Sequence, residues 1–311
     1  MLNGDTAERS PQPHAPLAAR DLVLALLAVS IWASNFVVIR WGLDRVPPFT
    51  LATFRFLFSA FPAVFFVRRP SVPWRNLVAF GAILGFGQFG MLFLGMRVGI
   101  TPALASLVVQ MQAFFTVALA ALLMREALSR RTLLALAVAG AGLAVIALKG
   151  GHSATPAGLA LVLTAAVAWA TCNLIARSAG THRVVAYMAW SGLFATLPLL
   201  LCTLLLEGAQ PMLRTLSHPD PAMIGIVFWQ SAMNTLIAYA IWNSLLTRYS
   251  AARVAPLSLL VPIIATVLAW LLIGEQLQPW KLLACALVLA GLAINQFGGV
   301  RFRRPSRSST A

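Results

Sequence analysis

The chain has 311 residues, 60% of them hydrophobic and 10% charged, with a net charge of +15. Soluble domains carry roughly 45–50% apolar and about 25% charged residues, so this much apolar surface calls for lipid as its solvent. The basic residues sit in short clusters between apolar runs, the pattern of membrane topology signals, and no nucleic-acid motif or basic arm is present.

Residues 1–20 form a polar tail rich in Pro, Ala and Arg. The apolar run that follows has no small-residue cleavage site behind it, so it reads as a retained helix and not a signal peptide. A helix crossing about 30 Å of hydrocarbon needs roughly 20 residues. Ten runs meet that need: 21–39, 48–67, 77–96, 101–124, 132–149, 157–177, 184–206, 222–246, 252–273 and 281–297. They are continuous and too long for the alternating strands of about 9–11 residues in a membrane barrel. The connections are short and carry breakers and charge. The longest is 207–221, and residues 301–311 form a basic tail. With the N-terminus cytoplasmic, most Lys and Arg fall in inside loops, so both termini are placed inside.

The chain repeats. Residues 119–144 align without a gap on 268–293, setting Glu126 on Glu275 and Gly142 on Gly291. A second register sets Trp32 on Trp169 and Arg40 on Arg177. The repeats are residues 21–149 and 150–300, each of five helices. Five is odd, so the second copy enters the membrane the opposite way up, as in transporters built from inverted repeats. The expected fold is an all-α integral membrane protein of ten helices in two inverted five-helix repeats.

Polar side chains at hydrocarbon depth are costly unless they face a cavity or a partner. Trp32, Gln88, Gln110, Gln112, Trp169 and Asn234 fall near mid-bilayer, Asn35 and Arg55 in the outer half, Thr171 and Asn173 in the inner half. Arg55 either anchors a carboxylate through its two-pronged guanidinium, or ties helices by backbone carbonyls or by snorkelling outward. The amides line a cavity or join helices. Gln110 and Gln112 are two residues apart and point to nearly opposite helix faces, so one is expected in the cavity. Trp32 and Trp169 either wall the cavity, holding an ammonium over their rings, or pack the two halves together.

All eight acidic residues and all four His lie in tails, loops or helix ends, which leaves a buried proton relay unsupported. Glu126 and Glu275, the repeat-matched acids, are candidates for gating or coupling, or for closing helix ends. The three cysteines lie far apart in apolar runs with no metal spacing. No nucleotide-binding loop is present, and no cluster of nucleophiles, acids or metal ligands marks an enzyme site. No cofactor or metal is expected.

The duplicated plan, with Ser34-Asn35-Phe36-Val37-Val38-Ile39, ALASLVVQMQAFFT at 103–116 and RVAPLSLLVP at 253–262, resembles the EamA-type families of the drug/metabolite transporter superfamily. Within them it resembles the bacterial exporters of cysteine and O-acetylserine. The resemblance runs from about residue 21 to 299. It implies a cavity between the repeats and export of small metabolites across the inner membrane. The expected binding set is Arg55 for a carboxylate, Asn35, Gln88 and one of Gln110 and Gln112 for polar groups, Asn234 beside them, and Trp32 and Trp169 as walls. The expected partners are a small-molecule substrate and membrane lipid. The first repeat is expected to supply more of the polar lining, because Gln110 and Gln112 fall on Leu259 and Val261 in the second.

Overall fold

The structure, a computed structural model, describes residues 17–124, 129–180 and 183–297. Ten helices are long and apolar enough to span a membrane. They are α1 (Ala19–Leu43), α2 (Pro48–Phe66), α3 (Trp74–Val98), α4 (Pro102–Leu123), α5 (Arg130–Lys149), α6 (Pro156–Ala179), α7 (Val184–Glu207), α8 (Pro221–Arg248), α9 (Ala255–Ile273) and α10 (Pro279–Gln296). The 207–221 linker holds an unforeseen short helix, Gln210–Ser217, lying over α2 and α8, where Thr215 and Leu216 flank an apolar groove.

The helix starts have a common chemistry. Every even-numbered helix opens on proline: Pro48, Pro102, Pro156, Pro221 and Pro279. Proline fits the first helical position, where its fixed φ suits the helix and its missing N–H costs nothing. Consecutive spans run antiparallel, so these five starts share one end of the bundle, called here the proline end.

The two halves interlock. Helix α1 packs on α8 and α9 of the second half, and α6 packs on α3 and α4 of the first. The α5–α10 contact is reciprocal. A Cβ on Gly142 would stand 3.0 Å from the carbonyl oxygen of Ala284 and 2.7 Å from Val288 Cγ2. One on Gly291 would stand 2.7 Å from the carbonyl oxygen of Ala135 and 2.8 Å from Ala139 Cβ. The repeat register carries Ala135 onto Ala284 and Ala139 onto Val288, so the two glycines do the same work on opposite sides of a pseudo-two-fold axis.

Four irregular segments are paired as well, while a further π segment, Thr203–Glu207 at the end of α7, has no counterpart in α2. Helices α3 and α8 each widen into a π segment, at Ile83–Gly90 and Trp229–Ile237. Helices α4 and α9 each tighten into a 3₁₀ turn, at Val109–Met111 and Ala255–Leu259. Such departures in mid-helix commonly mark functional positions.

Candidate substrate cavity

The four irregular segments meet around a cavity of about 380 Å³. Gln88 and Asn234 lie in the π segments, Gln110 and Ser258 in the 3₁₀ turns, and all four line it. Aromatic walls come from Trp32, Phe36, Phe89, Trp169, Tyr239 and Trp242. Further polar lining comes from Asn35, Gln112, Asn173 and Gln296. Among the described residues no charged side chain is in the wall.

The cavity is off-centre. Beyond mid-bundle its lining comes from the last turns of α8, the first of α9 and the last of α10, all at the end opposite the prolines. Toward the proline end the core is sealed by Leu43, Phe49, Met96 and Ile100, each at most 4% exposed.

Gln110 and Gln112 both line the cavity, which corrects the expectation of opposite faces. The 3₁₀ turn between them has three residues per turn, so positions two apart lie about 120° from each other and not about 160°. The Gln110 amide donates to the Ser258 carbonyl at 3.3 Å. Gln112 Oε1 accepts from Asn173 Nδ2 at 2.8 Å, and the same Nδ2 donates to Thr116 at 3.1 Å.

Arg55 ties α2 to α8, through a side-chain amide and not through backbone carbonyls or the outer surface. It is 1% exposed and does not snorkel. Nor does it sit in the wall: its guanidinium lies one layer behind, 3.9 Å from the centre of the Phe89 ring. Its Nη2 donates to Asn234 Oδ1 at 2.7 Å, while Nε and Nη1 have no acceptor. Phe89 and Asn234 are the wall residues in front of it. Asn35 Oδ1, Gln88 Oε1 and Trp32 Nε1 are also buried without partners. Buried polar groups are normally satisfied; Ser191, Trp229 and Gln230 hold unpartnered groups away from this wall, but those of Trp32, Asn35, Arg55 and Gln88 gather at one cavity, as at a binding site.

Trp32 both walls the cavity and joins the halves, its ring lying 5.3 Å from Tyr239 and 5.1 Å from Trp242. Trp169 lines the cavity too. The expected bias of polar lining toward the first repeat is corrected: Asn173, Asn234, Ser258 and Gln296 balance the amides of the first. Sequence reasoning passed over Phe36, Phe89, Tyr239, Trp242, Ser258 and Gln296. Aromatic residues in an apolar run look like core, and Gln296 stands at the edge of the last run.

Glu275 lies at the sealed end, remote from the cavity. Its carboxylate accepts from the Thr101 hydroxyl at 2.5 Å and the Ala103 N–H at 3.2 Å, and pairs with Lys281 Nζ at 3.0 Å. It caps the start of α4. Glu126 lies outside the described residues. Unforeseen is Glu207, which accepts from Phe49 N, Thr50 N and the Thr50 hydroxyl at 2.7–2.8 Å and so caps the start of α2. Among the described residues no group of His, Cys, Asp or Glu forms a metal site.

Ten spanning helices, paired irregular turns and a polar, aromatic cavity between two interlocked halves define a multi-pass membrane transporter. The chain belongs to the EamA-like transporter family, whose profile matches residues 20–148 and again 156–296. It is 43% identical to the "Probable amino-acid metabolite efflux pump" of Salmonella typhimurium, over 94% of this chain and 100% of that one. It is 40% identical to the protein of the same name in Escherichia coli, over 93% and 98%. A "Probable terminal-alkyne amino-acid exporter" of Streptantibioticus cattleyicolor is 30% identical over 86% and 91%. A solved crystal structure superposes with a TM-score of 0.61 at 21% identity, over 92% of this chain and 99% of the other, and so shares the fold. The family and the names of these relatives are those of small-metabolite exporters.

Proposed function

We propose that the chain exports small zwitterionic amino-acid metabolites, cysteine and O-acetylserine first among them, across the bacterial inner membrane by alternating access. Both termini are then cytoplasmic and the cavity opens inward, the orientation an exporter needs to load. One observation carries this reading. A buried guanidinium without a counter-ion stands behind a neutral wall of amides and aromatic rings. A carboxylate satisfies the guanidinium through paired, charge-assisted hydrogen bonds. An ammonium is held over Trp and Tyr faces and by the unpartnered oxygens of Asn35 and Gln88. Gln110 and Gln112 meet the substrate's polar side chain, and Trp32 and Trp169 wall it. The names of the relatives in Salmonella and E. coli support the substrate class.

Glu207 and Glu275 form the outer gate in this scheme, holding α2 and α4 against α7 and α9 while the cavity loads. Energy comes from the substrate's own gradient, since no acid stands at mid-membrane. Everted vesicles loaded through this protein test both points. Accumulation of cysteine or O-acetylserine above control vesicles is expected, with and without a pH gradient. No accumulation of any amino-acid metabolite overturns the function, and strict dependence on the gradient overturns the energetics. The density of indole rings favours a second reading, a flat aromatic solute such as a nucleobase. Competition by nucleobases and not by cysteine in the same vesicles would select it.

A further inference from the structure

The contacts of Arg55 suggest how the cavity chooses its cargo. The guanidinium has one good acceptor, the neutral Oδ1 of Asn234 at 2.7 Å, while Nε and Nη1 have none. The ion pairs described all stand at the ends of the bundle: Arg40–Asp44, Arg45–Asp220, Arg248–Asp21 and Lys281–Glu275. Among the described residues no ion pair or hydrogen bond joins Arg55 to a carboxylate, and no charged side chain lines the cavity. The field of Arg55 in the cavity is therefore uncompensated. Asn234 itself is held loosely elsewhere. Its Nδ2 reaches the Ile31 carbonyl at 3.5 Å, the far limit of a hydrogen bond.

We propose that Asn234 is a displaceable stand-in for the substrate's carboxylate. Its amide oxygen occupies the guanidinium in this conformation, and the α-carboxylate of the substrate takes its place on binding. This rests on the amino-acid reading above and names the residue that sets charge selectivity. The exchange is downhill because a carboxylate is the stronger acceptor. Charge-assisted bonds are roughly twice as strong as neutral ones, and a carboxylate can meet two nitrogens of the fork at once. It also satisfies donors that Asn234 leaves orphaned. The released amide swings into the cavity, where its oxygen meets the substrate's ammonium. A solute with no anionic group cannot displace Asn234. One with net positive charge, such as lysine or an amino-acid ester, also meets the unscreened field of Arg55.

The test uses the full-length protein, purified and reconstituted in liposomes. Cysteine, cysteine methyl ester and lysine are compared in the wild type and in Asn234→Asp and Asn234→Ala. The wild type should carry cysteine about tenfold or more over the ester and lysine, a ratio that corresponds to about 1.4 kcal/mol. Asn234→Asp supplies a permanent carboxylate to Arg55. It should melt at the same or a higher temperature, lose about 90% or more of cysteine transport, and bring the cysteine-to-ester ratio near one, since a tenfold preference is about 1.4 kcal/mol. A merely structural role for Asn234 predicts no such loss of preference. Asn234→Ala should keep the preference for carboxylates. Wild-type selectivity in Asn234→Asp overturns the proposal, as does equal transport of cysteine and its methyl ester by the wild type.

A binding arm in detergent stands apart from transport. Cysteine and O-acetylserine should raise the melting temperature of the wild type and leave Asn234→Asp unmoved. If they move both alike, or neither, the stand-in is wrong. If they shift the wild type alone but no amino acid is transported, the stand-in holds and the exporter reading fails.

Discussion

The two ends of the bundle are built on opposite terms. At the proline end, helix starts are capped: α2 by Glu207, α4 by Glu275, α6 by Thr155 and α8 by Asp220. Helix N-termini carry unsatisfied N–H groups and partial positive charge, so carboxylates are well placed there. Arg97 donates to the carbonyl of Leu43 at the end of α1, and Thr101 N and Thr155 N tie the α3–α4 and α5–α6 loops by bonds of 3.0 and 2.9 Å. Toward the other end, around the cavity, several polar groups are held by long bonds or none, while Asn234 and Gln112 each accept one short bond. The difference separates what holds this conformation from what waits for cargo. Satisfied polar groups lock an end. The unsatisfied groups of Trp32, Asn35, Arg55 and Gln88 stand where a substrate completes them.

Substitutions can break that comparison, beginning with the largest effect expected. Glu275→Ala leaves Lys281, whose side chain is 5% exposed, as a buried cation without its partner. Breaking such a pair costs about 3–5 kcal/mol. Thermal melting in detergent should show it, and adding Lys281→Ala should recover part of the loss. No recovery would mean that the capping bonds to α4, and not the charge, carry the stability. Glu207→Ala orphans two backbone N–H groups and a hydroxyl but no cation, so the loss should be smaller, about 1–3 kcal/mol. Gly142→Val and Gly291→Val should cost similar amounts, about 1–3 kcal/mol each from overpacking, because each presses on a backbone carbonyl that cannot yield. Unequal losses from the two glycine variants would argue against the pseudo-symmetry of that contact.

The cavity should answer differently. Gln88→Leu removes an amide whose oxygen has no partner, so melting should move little, by about 1 kcal/mol or less, while cysteine transport falls severalfold. A variant that lost stability but kept transport would put Gln88 with the framework and not with the site.

The sequence carries the ends of this molecule better than its middle. Spans follow from continuous apolar runs, and helix starts from proline, so the framework is written in local composition. The Glu126–Glu275 and Gly142–Gly291 matches disclosed the duplication, and the structure returns the glycine pair as a reciprocal contact. The cavity was only partly legible. Arg55, Gln88 and Asn234 stand out because polar groups at depth are rare. Yet facing depends on where helices leave the 3.6-residue period, and neither the π turns nor the 3₁₀ turns have a composition that announces them. That is why Gln110 and Gln112 were expected on opposite faces. Tyr239 and Trp242 were missed for a different reason: an aromatic wall and an aromatic core have the same composition.

The smallest expected effect comes from making the two repeats alike. The register places Gln110 and Gln112 on Leu259 and Val261, so Gln110→Leu and Gln112→Val give α4 the side chains of α9 at those positions. Gln110 makes one bond of 3.3 Å to the Ser258 carbonyl, so its loss should leave melting nearly unchanged. Gln112 holds Asn173 at 2.8 Å. Its loss leaves Asn173 with Thr116 as acceptor at 3.1 Å, and a hydrogen bond of this kind between membrane helices is worth about 0.6 kcal/mol on average. The double variant should therefore fold and melt within about 1 kcal/mol of the parent, the sum that such bonds allow. Transport of O-acetylserine should fall more than that of alanine, because alanine has no polar side chain for the amides to meet. Equal losses for the two substrates would remove both amides from side-chain recognition and return them to joining α4 to α6 and α9.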